Sequence, residues 1–245
     1  MMNYTPAFDL LANRIILVTG AGDGLGRVAA TTFAAHGATV ILLGRTIRKL
    51  ENVYDAIEKA GYPKPAIYPM NLEGASPKDY EDLANTLDKE FGQLDGLLHN
   101  AAILGTLTPL EHYNIGLWYQ VLQVNLNAPY LLTRACLKLL KRAGDASIVF
   151  TSCDVGQKGR AYWGAYAVSK FAIEGMMQIL ADELETKIRV NAIDPGPLRT
   201  ALRASAFPGE IPSTVAAPET VMMTYLYLMG PDSREITGQV LHREF

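Results

Sequence analysis

Ile15-Ile16-Leu17-Val18-Thr19-Gly20-Ala21-Gly22-Asp23-Gly24-Leu25-Gly26 decides how this chain folds. The first five residues are a continuous apolar and β-branched run, the pattern of a strand buried on both faces. Glycines follow at 20, 24 and 26, and an apolar-periodic stretch runs on through Ala30 and Phe33. The reading is strand, tight turn, helix. Glycine lets backbone approach a pyrophosphate, and the first turn of a helix offers it free N–H groups. A glycine pattern alone is an ordinary loop. Flanked by strand and helix, as here, it predicts a dinucleotide-binding turn.

The same alternation continues along the chain. Strand-like runs are Arg14–Thr19, Thr39–Leu43, Ala66–Met70, Leu94–His99, Ser147–Ser152, Arg189–Ile193 and Gly238–Leu241. Helical patterns lie between them at Gly24–His36, Ile47–Ala60, Pro77–Phe91, Leu117–Leu140, Gly164–Glu185 and Pro218–Met229, with Gly37, Gly61, Gly92 and Gly144 where helices should stop. This predicts an α/β fold, a doubly wound parallel sheet with helices on both faces. No repeat, low-complexity tract or linker divides the chain, so one domain is expected over 1–245. The longest irregular stretch, Pro195–Ala217, reads as a substrate lid or as a plain surface connection; its place after a strand favours the lid.

Composition narrows the function. With 245 residues, 49% hydrophobic and 19% charged, the chain can bury a full core. A net charge of −3 gives no reason to expect nucleic acid or an anionic membrane as partner. The two cysteines, Cys136 and Cys153, have no metal-ligand spacing, and no metal is expected. Met1–Asn13 shows no signal-peptide pattern, and no run of about 18 apolar residues predicts a membrane span. The cytoplasm is the expected location.

Chemistry is carried by Gly164-Ala165-Tyr166-Ala167-Val168-Ser169-Lys170. Four residues apart on a helix, Tyr166 and Lys170 share one face. A phenol beside an ammonium is easier to ionise and can trade protons with a carbonyl or alcohol. Alone, such a pair is common on solvated helix faces.

Taken in order, the glycine turn, Asn100-Ala101, Asn125, Tyr166/Lys170 and Pro195-Gly196 resemble the short-chain dehydrogenase/reductase family, from about Leu11 to about Leu241. Within it, Trp163–Asp182 and Thr200–Pro208 are similar to a group of bacterial oxidoreductases known as YciK-type. The resemblance implies a Rossmann-like sheet of seven parallel strands and hydride transfer to or from nicotinamide. It makes Tyr166 the acid/base, with Lys170 binding the nicotinamide ribose and lowering the Tyr166 pKa. It gives Asn125 a water of a proton relay; a residue that caps or kinks its helix is the other reading. In the cofactor's binding site it places Gly20, Asp23, Gly24, Leu25 and Gly26 of the turn, and Asn71 and Leu72 near the adenine. Asn100, Ala101 and Ala102 follow at the fourth strand, and Pro195, Gly196, Leu198 and Thr200 after the sixth. A homodimer or homotetramer is implied as well.

Departures from the family pattern are informative. Its catalytic serine lies thirteen positions before the tyrosine, where this chain has Cys153. A thiol is a weak donor, so Cys153 is a poorer partner for a substrate carbonyl, or simply a small buried hydrophobe. Ser152 is adjacent, but neighbouring strand residues face opposite ways. Ala102 replaces a usual glycine, and Asn71 a frequent aspartate whose role an amide carbonyl can fill.

The second strand ends Leu42-Leu43-Gly44-Arg45-Thr46, with no carboxylate at the tip. In dinucleotide folds an acid there binds the ribose 2′-hydroxyl, whereas an arginine accommodates a 2′-phosphate. Arg45 therefore favours NADP over NAD, with Arg48 and Lys49 adding to the positive field. Asp23 is the objection, unless it caps the following helix. The expected pocket wall combines Ile103, Leu104, Tyr162 and Trp163 with Leu202, Phe207 and Ile211. An NADP-dependent oxidoreductase acting on a partly apolar carbonyl or alcohol follows. Arg199 and Arg203 either meet an acidic group on the substrate or are exposed lid charges. The alternatives are an NAD-dependent dehydrogenase and a catalytically weak NADP-binding sensor.

Overall fold

The computed structural model describes residues 4–185 and 187–242, so the two ends of the expected 1–245 span and Thr186 lie outside the described residues. β1 (Ile15–Thr19) pairs in parallel with β2 (Thr39–Gly44) on one side and β4 (Gly96–His99) on the other. Helix α1 (Gly24–Ala35) follows β1, α2 (Ile47–Lys59) leads to β3 (Ala66–Pro69), and α3 (Pro77–Phe91) leads to β4. After β4 come α4 (Ile115–Leu122), α5 (Ala128–Arg142), β5 (Ala146–Thr151), α6 (Gly164–Leu184) and β6 (Ile188–Asp194). The chain closes with α7 (Ala201–Ala206), α8 (Met222–Met229) and β7 (Val240–His242). All seven strands form one parallel sheet in the order β3-β2-β1-β4-β5-β6-β7. The order reverses between β1 and β4, and the crevice beyond their carboxyl ends is where such sheets bind ligands.

Two cores flank the sheet. Ile16 and Val18 face Phe33, Leu50 and Tyr225, while Leu17 faces Leu83, Leu132 and Met177. Burial on both sides is why the strands read as unbroken apolar runs. Helix ends follow the glycines: Gly92, at φ 74°, is the left-handed C-cap of α3, and its N–H bonds back to Leu87 and Asp88 carbonyls.

Three expectations need correction. The predicted helix Leu117–Leu140 is two, α4 and α5, joined by a π-helical turn at Gln123–Asn127. Pro129, in the first turn of α5, has no N–H for the carbonyl four residues back, that of Asn125, and the ladder widens there. The predicted helix Pro218–Met229 begins as a 3₁₀ turn over Pro218–Val221. Pro195–Ala217 is less irregular than expected: it holds α7, capped by the Thr200 hydroxyl, and a 3₁₀ turn at Pro212–Thr214. A bridge between Leu198 and Ala216 closes its base.

Candidate active site

Where β1 and β4 diverge, Thr19 fastens their ends together. Its hydroxyl donates to the Leu98 carbonyl at 3.2 Å and accepts from the N–H groups of Asn100 and Ala101, both at 3.0 Å. The Asn100 amide donates to the Thr19 carbonyl at 3.2 Å. Gly26 is packed so closely that a Cβ there would collide with the Gly20 carbonyl and the Asn100 amide. The turn can therefore carry no larger residue at that point, and its backbone is held open toward the crevice.

That crevice is a cleft of about 730 Å³, well within the size of a cofactor site. Of the residues expected to hold the cofactor, Gly20, Asp23, Gly24, Leu25, Arg45, Asn71, Leu72, Asn100, Ala101, Ala102, Pro195, Gly196, Leu198 and Thr200 line it. Gly26 lies just beneath. Asp23 is the N-cap of α1, accepting from Gly24 N–H at 2.7 Å, and its second oxygen takes the Lys49 ammonium. The Lys49 bond holds the Asp23 carboxyl below its ordinary pKa. Lys49 is thus engaged with Asp23 and adds no free charge, contrary to expectation. Arg45 is exposed at the cleft edge and makes no side-chain hydrogen bond or ion pair with the described residues.

At the other end, Tyr166 and Lys170 are buried side by side on α6, 6% and 4% exposed. The ammonium stands 5.5 Å from the phenol ring centre and donates to the Thr151 carbonyl at 2.6 Å. The expected fall in the Tyr166 pKa is not what this arrangement produces. Burial pushes the phenol well above its ordinary value, and the Cys153 thiol beside it acts in the same direction. Burial draws Lys170 down, opposed by Cys153 and Glu174. The Cys153 thiol lines the cleft, is raised by burial and is pulled the other way by Lys170. Ser152, just past the end of β5, lines the cleft as well, but its hydroxyl donates to Glu174 at 2.5 Å.

Asn125 does not line the cleft. Its side chain accepts from Ile103 N–H and donates to the Ile103 carbonyl, each at 2.9 Å, and donates to Ser169 Oγ at 3.1 Å. The amide is fully engaged in holding the segment after β4 against α6. Among the expected wall residues, Ile103, Trp163, Leu202 and Phe207 line the cleft, and Leu104 packs behind them. Tyr162 and Ile211 are 59% and 65% exposed and face outward, and Arg199 is exposed and outside the lining.

Residues 14–211 match the family described as short chain dehydrogenase. The chain belongs to the short-chain dehydrogenase family. This short-chain dehydrogenase is 51% identical over 237 residues to the "uncharacterized oxidoreductase YciK" of Escherichia coli (strain K12), covering 97% of this chain and 94% of the relative. A short chain dehydrogenase structure from Pseudomonas syringae superimposes with a TM-score of 0.97 at 56% identity, covering 99% of each chain. Another, from Shigella flexneri 2a and complexed with NADP, gives 0.96 at 48% identity, covering 98% of this chain and 100% of that one. The chain is accordingly an oxidoreductase of a family that uses nicotinamide cofactors.

Several groups at the site of this short-chain dehydrogenase escaped the sequence. Thr19 has one signal, a hydroxyl at the end of an apolar strand. Glu174, 7% exposed and two turns beyond Tyr166 on α6, has another, a carboxylate on a buried face. Asp194, whose carboxylate accepts from Gly196 N–H at 2.9 Å, shapes the turn that enters the lid segment. Among the described residues no group of three His, Cys, Asp or Glu gathers to hold a metal, and no helix is long and apolar enough to cross a membrane.

Proposed function

We propose that this short-chain dehydrogenase is an NADP-dependent carbonyl oxidoreductase with Tyr166 as its acid/base. The observation that carries the reading is Tyr166 buried beside Lys170 at the end of a cleft whose other end is the glycine turn. The residues fit the cofactor. Gly26 keeps the turn close to Asn100, the Asp23 charge is balanced by Lys49, and Arg45 is free to take a 2′-phosphate bidentately. The NADP complex of the Shigella flexneri relative supports the same choice. When bound, nicotinamide supplies or accepts the hydride.

The protein's own part is proton transfer and orientation. Held far above its ordinary pKa, the Tyr166 phenol stays protonated near neutral pH, the form that reduction of a carbonyl needs. It gives that proton to the substrate oxygen as negative charge develops there. Hydrogen bonds aimed at that oxygen strengthen in the transition state. The Cys153 thiol faces the same region and is a weaker donor than the family's serine. Lys170, anchored on Thr151, is placed to hold the cofactor ribose and to pass a proton toward Tyr166. The relay water belongs to the Asn125 backbone carbonyl, which Pro129 deprives of its α-helical donor, because the side chain is already engaged. Pro195–Ala217 acts as the lid, its base resting near the turn where Thr200 meets Gly24. Tyr130, Val168, Phe171 and Ile179 leave an exposed apolar face on α5 and α6 that suits a second copy of the chain.

Cys153 favours one further reading, a nucleotide sensor with weakened chemistry. The test measures affinity for NADPH and NADH, then oxidation of the preferred one with a panel of ketones and aldehydes. Tighter NADPH binding with turnover establishes the oxidoreductase, tight binding without turnover over a broad panel favours the sensor or a substrate outside the panel, and binding of neither overturns both.

A further inference from the structure

The apolar end of the cleft carries one guanidinium among its described lining residues, Arg203 on α7, and that guanidinium is already occupied. Its Nε and Nη2 donate to the two carboxylate oxygens of Glu210 at 2.8 and 2.7 Å. Its Cζ lies 3.7 Å from the ring centre of Phe207. Phe207 packs on Trp163, and Trp163 on Tyr166, with 5.8 Å between ring centres at each step. An unbroken line of aromatic contacts thus runs from the acid/base to the ion pair. The other cations of the lining sit elsewhere. Arg45 and Lys49 are beyond the glycine turn, and Lys170 lies beneath Tyr166, bonded to Thr151. Glu210 itself does not line the cleft.

The arrangement discriminates by charge. A substrate carboxylate entering beside Leu202 and Phe207 must displace Glu210 from the guanidinium fork. It would exchange one bidentate pair for another and bring two negative charges together. An uncharged ring meets no such opposition and gains contact with Trp163 and Phe207. We infer that Glu210 is a specificity-determining residue: by occupying Arg203 it reserves the pocket for uncharged, ring-bearing carbonyl compounds, or the matching alcohols, and rejects their carboxylate analogues. The inference rests on the carbonyl-oxidoreductase reading above.

The test uses para-nitrobenzaldehyde and para-carboxybenzaldehyde, near isosteres that differ by a charge, as substrates for NADPH oxidation by the full chain. The wild-type protein is expected to prefer the nitro compound. Glu210→Gln shifts the ratio of kcat/KM toward the carboxylate by about tenfold, the worth of one charge-assisted pair made available at a partly exposed site. The double variant Arg203→Met/Glu210→Gln loses that shift, since no guanidinium remains to receive the carboxylate. A ratio moved by less than about twofold in Glu210→Gln overturns the inference, as does a wild-type preference for the carboxylate. A wild-type protein that oxidises NADPH with neither aldehyde overturns the inference, and the wider panel of ketones and aldehydes then shows whether the carbonyl-oxidoreductase reading fails with it. Failure of the inference alone leaves a wild-type protein that turns over one or more members of the panel, whereas failure of the underlying reading leaves no turnover with any of them, so the two are distinct.

Discussion

Replacing Thr19 by valine removes one hydroxyl and nearly nothing else, because the two side chains are almost isosteric and position 19 is 2% exposed. No cavity forms, so the cost is that of hydrogen bonds alone. The hydroxyl accepts from the N–H groups of Asn100 and Ala101, both at 3.0 Å, and both are left without an acceptor. An unsatisfied buried donor costs about 1–3 kcal/mol. Asn100 and Ala101 are half-buried at the cleft edge, where water reaches part of the lost bonding. The expected loss is therefore about 2–4 kcal/mol. For a chain of this length that lowers the melting midpoint by roughly 5–15 °C. Thermal and urea unfolding of Thr19→Val measure it, and Thr19→Ser, which keeps the oxygen, should recover most of the loss. NADPH affinity, measured well below the melting midpoint, should fall in Thr19→Val and recover in Thr19→Ser, since the same bonds hold Asn100 against the glycine turn. A loss below about 1 kcal/mol in Thr19→Val, or no recovery by serine, would refute the reasoning.

Arg45→Asp should weaken NADPH binding about 10–30-fold, the low end for a charge-assisted pair because Arg45 is exposed, and leave NADH binding equal or improved; titration with both nucleotides decides it. Cys153→Ser should retain or raise turnover, because a hydroxyl is the better donor beside Tyr166; lost turnover in a folded variant contradicts this. Glu174 has a pKa raised by burial, so its carboxyl contributes stability that is complete below the unfolded value near 4.3 and fades as pH rises through the folded value. Glu174→Gln, which can still accept from Ser152, should thus melt higher relative to wild type at pH 8 than at pH 4. A difference in melting midpoint that is flat with pH would remove Glu174 as the titrating group.

The parallel sheet was legible because β1, β2, β4 and β5 are buried on both faces and therefore read as largely apolar runs. The glycine turn was legible because Gly26 meets backbone and can be nothing larger. The π-helical turn was not, since the apolar periodicity of α4 and α5 passes smoothly across Gln123–Asn127; Pro129 was the one mark of the break. At the site, Tyr166 and Lys170 announced themselves by spacing on one helix. The contacts that set their environment join residues distant in sequence, which no local pattern pairs: Ser152 with Glu174, Asp23 with Lys49 and Asn125 with Ile103. The sign of the Tyr166 shift was misjudged for the same reason. Helical spacing places an ammonium near the phenol, whereas the depth of burial, which outweighs it, depends on Trp163, Val155 and Ala206 closing over the ring. Arg203 was visible as a lid charge, yet its partner Glu210 lies across a turn between α7 and the next 3₁₀ segment, where spacing carries no geometry.

The measurement that bears most directly on the account is turnover by Tyr166→Phe with NADPH and a ketone or aldehyde that the wild-type protein reduces, taken alongside its NADPH affinity. Phenylalanine keeps the ring against Trp163 and removes only the proton donor. The account predicts NADPH affinity within a few-fold of wild type and turnover reduced by at least about a hundredfold, the scale of a positioned general acid. Turnover near the wild-type rate, with binding intact, would contradict the assignment of Tyr166.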